Sequence, residues 1–162
     1  MTASDAPFPE SRWSDALRVR ACAVVIENES VLMVRQISPA LNRSVWLLPG
    51  GAIEMGESAV EALRREVREE TGLVVEPGAF QFVHEFLYPP LHAVELVFEA
   101  ELTGGELISG FDPELPEDEQ LILETDFLPI GTLDRFEIWP DFLSSRIANW
   151  GAGPSHYRTD RF

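Results

Sequence analysis

Apolar residues fall in short β-rich runs along most of the chain, and one stretch alone carries a strong helical period. Val19 to Ile26 and Val31 to Arg35 are rich in Val, Ile and Leu. Glu27, Asn28 and Glu29 between them supply turn chemistry, so this segment predicts a hairpin. Ser38 to Ser44, with Pro39 and Asn42, reads as a loop, and Val45 to Leu48 as a short strand stopped by Pro49-Gly50-Gly51. From Ser58 to Thr71 the apolar spacing becomes helical, with Val60, Leu63 and Val67 on one face toward the core. Ser58 and Glu61 form a capping-box signature, and Gly72 supplies the stop.

Ala79 to Tyr88 and His92 to Leu102 predict two further strands joined by Pro89-Pro90-Leu91. Thr103 to Gln120 reads as a long acidic loop, a kind of segment that often serves function. Leu121 to Pro129 predicts another strand, and Thr132 to Phe136 and Asp141 to Trp150 two short helices around Pro140. The ends, residues 1–16 and 151–162, read as a flexible N-terminal arm and a loose C-terminal tail around one domain of residues 17–150. Strands predominate around one strong helix, which points to an α+β fold of the α/β/α sandwich type.

Length and charge narrow the classes. At 162 residues the chain makes one ordinary domain that buries roughly 70% of its unfolded surface. It carries 28 acidic and 12 basic residues, a formal charge of −16, and every basic residue is arginine. So negative a body repels a phosphate backbone and argues against a nucleic acid polymer as partner. A small anionic substrate remains compatible where a metal or a few arginines reverse the field. One cysteine, Cys22 in an apolar run, excludes an internal disulfide and reads as a buried structural thiol. No apolar run is long enough for a membrane span, and the first ten residues lack a signal-peptide pattern, so a cytoplasmic location is the default expectation.

The chemistry concentrates on the central helix. Glu66, Glu69 and Glu70 stand at i, i+3 and i+4, so three carboxylates are close neighbours. On an exposed helix such repulsion costs a few tenths of a kcal/mol per pair, and a hard divalent cation would reverse its sign. Taken alone, the three glutamates also suit a solvated acidic face. The Pro-Gly-Gly turn ahead of them lets backbone approach a ligand. Arg65, four residues before Glu69, is placed to pair with it.

These residues resemble the Nudix box. That motif is Gly, five residues, Glu, seven residues, Arg-Glu, an aliphatic, one residue, Glu-Glu, one residue, Gly, an aliphatic. Gly51, Glu57, Arg65, Glu66, Val67, Glu69, Glu70, Gly72 and Leu73 fill all its defined positions. A chance full match is on the order of one in a billion per starting point. The local sequence Gly50 to Glu57 is similar to the MutT-like branch. The resemblance implies a mixed sheet between helices, with the box as a loop–helix–loop, and hydrolysis of a nucleoside diphosphate derivative with Mg²⁺ or Mn²⁺. It implies Glu66, Glu69, Glu70 and the Gly50 carbonyl as metal ligands, with Glu57 joining through water or holding the loop. Arg65 would orient the glutamates. For the general base it offers Glu69, or a later-loop glutamate near Glu117 and Glu119.

For substrate contact the resemblance offers Arg35, with Arg20 on the preceding strand. Trp46 and Phe82 are candidates to stack on a base, although their apolar strands favour the core. Pro89 stands where a proline accompanies ADP-ribose activity, and Tyr88 near where a tyrosine accompanies dinucleoside polyphosphate activity. The reading places ADP-ribose or another nucleoside diphosphate sugar first. A nucleoside triphosphate or a dinucleoside polyphosphate is the alternative. Relatives are often homodimers, so a homodimer is carried as an expectation. The rival classes are a non-catalytic nucleotide-sensing module, disfavoured by the intact box, and a diphosphate isomerase, which needs a reactive cysteine in its cleft. His84, His92 and His156 show no zinc spacing.

Overall fold

The structure is a computed structural model that describes residues 16–38, 41–89, 91–110, 116–151, 153 and 155–160. The arm expected over residues 1–16 therefore lies almost wholly outside the described residues. A five-stranded mixed sheet is built from β1 (Arg18–Val24), β5 (Gly50–Ala52), β6 (Leu73–Tyr88), β7 (Leu91–Gly105) and β9 (Ser155–Asp160), in the order β5-β1-β7-β6-β9. An antiparallel sheet sets β3 (Ser30–Ser38) between β8 (Ile122–Pro129) on one side and β2 (Ile26–Glu27) and β4 (Arg43–Leu47) on the other. Among the described residues two α-helices, α1 (Ala59–Thr71) and α2 (Phe142–Ala148), and two short 3-10 turns, Glu117–Glu119 and Ile130–Arg135, complete the fold.

The centre is β1, buried on both faces, and its two-residue period feeds two cores. Cys22 and Val24 join Met33, Phe82 and Val97 under Leu143 and Ile147 of α2. Ala21 and Ala23 join Leu32 under Leu63 and Val67 of α1. Helices thus cover opposite sides of the strands, which is the sandwich expected.

Local signals place α1 closely. The Ser58 hydroxyl accepts from the Glu61 amide, and the Glu61 carboxylate accepts from the Ser58 amide. Such a cap contributes about 1 kcal/mol. At the other end Gly72 adopts φ 75° and its amide donates to the Arg68 carbonyl at 2.9 Å. Only glycine takes that left-handed stop without strain. The buried set is Ala62, Leu63, Val67 and Thr71, so Val60 sits at the edge of the apolar face and Ala62 inside it. The first hairpin turns at Asn28 and Glu29, with φ of 48° and 60°, the twist that matches paired strands.

Three segments differ from expectation. β6 begins at Leu73 directly after the helix stop, and the ladder absorbs Pro77 and Gly78 through register shifts rather than ending there. The acidic loop is shorter than its sequence suggests, because β7 runs to Gly105. Residues 111–115 of that loop lie outside the described set, and Glu117–Glu119 form a tight helical turn. Part of the expected loose tail is instead β9, parallel to β6. Its Tyr157 stacks on Phe142 at 4.0 Å and meets Phe82 edge-on at 5.4 Å, so aromatic packing holds the strand. Among the described residues no helix is long and apolar enough to cross a membrane.

Candidate active site

The glycine loop and α1 meet through backbone and side chain together. β5 pairs with β1 so that Cys22 faces Gly50 and Arg20 faces Ala52. Gly50 has φ 151°, and a Cβ there would overlap the Ala21 carbonyl and the Cys22 backbone, so both conformation and space demand glycine. Its amide donates to Glu70 Oε2 at 2.9 Å, and its carbonyl accepts from Arg20 Nη2 at 2.9 Å.

Arg65 gathers the rest. It donates through Nε to Glu57 Oε1 (2.8 Å) and through Nη2 to Glu57 Oε2 (2.9 Å) and the Ala52 carbonyl (3.0 Å). Through Nη1 it reaches Glu66 Oε1 (2.8 Å) and Glu69 Oε2 (3.3 Å). The hydrogen bond from Arg65 holds the Glu57 carboxyl below its usual range. Glu66 moves the other way: burial raises its pKa, and Arg65 only partly offsets this. A lysine presents one point charge and cannot reproduce the fork. Arg65→Lys is therefore expected to weaken metal-supported activity about 10–100-fold, read from a Mn²⁺ titration of the rate. A variant matching the parent would show that the fork orients nothing.

The donors fit a hard divalent cation. Three carboxylates and a backbone carbonyl are the oxygen ligands such ions take. A Cβ at Gly51 would overlap the Glu66 carboxylate, so the missing side chain leaves room beside that carboxylate. As the side chains stand, Glu66 and Glu69 turn onto Arg65 and Glu70 onto the Gly50 amide. Among the described residues no ready cluster of three His, Cys, Asp or Glu results. Loading an ion then requires these carboxylates to turn from arginine and amide toward it, and the Gly50 carbonyl to share or release Arg20 Nη2. Mn²⁺ at about 100 times its Kd should add about 2.7 kcal/mol, raising Tm by roughly 5–10 °C.

The sign of the pH dependence follows from Glu66. Its folded pKa is raised, so without metal its contribution to stability is greatest below the ordinary carboxyl range and is lost as pH rises through the folded value. Metal binding competes with that proton. The Mn²⁺-induced rise in Tm should be larger at about pH 8 than at about pH 5, measured by thermal melting.

A cleft opens from this loop along the five-stranded sheet. Arg18, Arg20, Glu66, Glu70 and Glu95 line it together with Phe86, Trp139, Pro140, Leu121 and Ile122, and Gln36, Ser38 and His92 also border it. Arg20 is where a cleft arginine was expected. Burial works against its charge, and Glu95, with Cys22, Glu70 and Glu66 behind it, outweighs burial and raises its pKa. Arg35 is not brought there. Its side chain pairs with Glu124 and Ser44 on the antiparallel sheet, while its neighbour Gln36 lines the cleft. Alternation along a strand separates such neighbours.

Tyr88 stacks on Phe86 at 5.7 Å, and Phe86 rather than Tyr88 lines the cleft. Glu119 is exposed in its tight turn just before Leu121. Trp46 belongs to the core against Phe136 and does not line the cleft, whereas Phe82 serves both core and cleft floor. Cys22 lines the floor although buried, and burial pushes its thiol well above the ordinary value, opposite to a reactive thiolate. Phe86, Trp139 and Glu95 escaped the sequence reading. The period-two run Phe82, His84, Phe86 was the available sign that these three share a face.

A mixed sheet between α1 and α2, with a carboxylate helix opening from a glycine loop, defines an α+β domain of the Nudix fold. The sequence agrees: a model of the NUDIX domain matches residues 16–141, and the chain belongs to the Nudix family. A NUDIX hydrolase structure from Nitrosomonas europaea superposes with a TM-score of 0.67 at 20% identity, covering 83% of this chain and 87% of that one, a likeness of fold. An ADP-ribose pyrophosphatase of Methanocaldococcus jannaschii is 31% identical over 119 residues, 72% of this chain and 67% of that protein. An 8-oxo-dGDP phosphatase of Mus musculus is 38% identical over 103 residues, 60% of this chain and 31% of that protein. The chain thus spans about a third of the length of the 8-oxo-dGDP phosphatases it matches.

Proposed function

We propose that this chain hydrolyses the diphosphate linkage of a nucleoside diphosphate derivative, using Mg²⁺ or Mn²⁺ held by Glu66, Glu69, Glu70 and the Gly50 carbonyl. The observation that carries the reading is that those donors border a cleft lined by Arg18 and Arg20 and by the aromatic rings of Phe86 and Trp139. When bound, the cation neutralises the diphosphate and makes the attacking water more acidic. The chain's own groups do the rest. Arg20 meets phosphate oxygens, Glu69 accepts the proton of the attacking water, and Arg65 with Glu57 holds the glutamates in register. Phe86 and Trp139, edge to face at 6.3 Å, offer aromatic surface to the base. Glu119, in the turn preceding the cleft wall, is the second candidate for the base.

ADP-ribose or another nucleoside diphosphate sugar is the favoured substrate, supported by the archaeal ADP-ribose pyrophosphatase that spans most of the domain. An oxidised nucleoside diphosphate is the second reading, supported by the 8-oxo-dGDP phosphatase at higher identity over a shorter stretch. The test is a nucleotide screen with Mg²⁺ and with Mn²⁺, products identified by mass. AMP plus ribose phosphate supports the first reading, and a nucleoside monophosphate plus phosphate from an oxidised diphosphate the second. Binding without any turnover would overturn the hydrolase reading in favour of a nucleotide sensor.

A further inference from the structure

A line of polar side chains crosses four strands on the cleft floor and ends outside the matched Nudix region. Arg20 of β1 lies opposite Glu95 of β7, and Glu95 lies opposite His84 of β6. The three therefore share one face at one level of the sheet. Arg20 Nη1 donates to Glu95 Oε1 at 2.7 Å, His84 Nδ1 meets Glu95 Oε2 at 2.7 Å, and His84 Nε2 meets the Thr159 hydroxyl of β9 at 3.0 Å. His84 is 2% exposed and its ring packs edge-on against Phe142 at 5.2 Å. We propose that Thr159, His84 and Glu95 are positioning residues that aim Arg20 into the cleft, so that β9 is a working part of the substrate site.

The geometry says how. A carboxylate beside a guanidinium prefers to take two parallel hydrogen bonds from it. Here His84 occupies Glu95 Oε2, so Glu95 holds Arg20 through Nη1 alone. That leaves Nη2 turned to the Gly50 carbonyl, at the edge of the glutamate site. Without the histidine contact, Glu95 is free to rotate, take both arginine nitrogens and draw Arg20 off the loop. Thr159 in turn anchors the far nitrogen of the ring, keeping Nδ1 on Glu95. The alternative is a set of polar groups that merely satisfy one another on a covered sheet face.

The inference rests on the reading that Arg20 meets phosphate. Both are tested by calorimetric binding of α,β-methylene-ADP, a diphosphate that resists cleavage, to the full chain with Mn²⁺ present. Arg20→Met should weaken binding about 10–100-fold, the size of a charge-assisted contact. Thr159→Val, which removes only the hydroxyl, should weaken it about 2–10-fold, and Thr159→Ser should restore it. Thr159→Ala replaces Val if the valine protein does not fold. The double variant Arg20→Met/Thr159→Val should bind no worse than Arg20→Met alone, because one residue acts through the other. Unaltered binding by the threonine variants, or losses that simply add to those of Arg20→Met, would overturn the ladder while leaving the phosphate reading intact. Unaltered binding by Arg20→Met would overturn the phosphate reading itself.

Discussion

Glu69→Gln is expected to lower kcat about 10²–10⁴-fold. The amide keeps the size of the carboxylate and one acceptor oxygen, and Arg65 Nη1 at 3.3 Å can still find that oxygen. What is lost is the negative charge and the ability to take a proton. The side chain is partly exposed, at 30%, and its i,i+4 pair with Arg65 is of a kind that contributes only about 0.3–0.5 kcal/mol. Tm should stay near that of the parent while the rate collapses. The measurement is steady-state kinetics on the best substrate of the screen, beside a thermal melt. A KM change with kcat retained would move the proton-accepting role to Glu119, whose Gln variant is the matched control.

The parts of this protein that were legible in sequence are the ones that local chemistry decides. α1 announces itself through Ser58, Glu61 and Gly72, all within one turn of its ends. Its glutamates and Arg65 keep their relations because helical spacing alone brings i, i+3 and i+4 together. The other half of the site depends on strand register. Arg20 and Glu95 are 75 residues apart, as are His84 and Thr159, and only the pairing of β1 with β7 and of β6 with β9 joins them. The same dependence explains Arg35: its strand was readable, but which face it takes was not, and one step along β3 separates it from Gln36 in the cleft. β9 stayed hidden because six residues of mixed polarity hold no strong period. Its stability comes from Tyr157 against Phe142 and Phe82, a contact no local rule reveals.

The glycine pair offers the sharper separation of fold from site. In Gly51→Ala the new methyl group would run into the Glu66 carboxylate, the far end of a flexible side chain. That end can swing aside, so the stability loss should sit near the low end of the overpacking range, about 1 kcal/mol, or roughly 2–4 °C in Tm. The carboxylate that swings is the buried one, with 12% of its side chain exposed and its pKa already raised by burial. Displacing it would remove one of the proposed ligands. Apparent Mn²⁺ affinity should fall about 100-fold or more, beyond the effect of losing a group that only orients a ligand. Gly50→Ala meets backbone instead, at a φ of 151° that alanine resists, so it should fail to give folded protein at all. Mn²⁺ titrations of activity and of the melting curve on the two variants separate these outcomes. If Gly51→Ala kept full metal affinity, Glu66 would not be a ligand, and its burial against Arg65 would be a packing device of the loop.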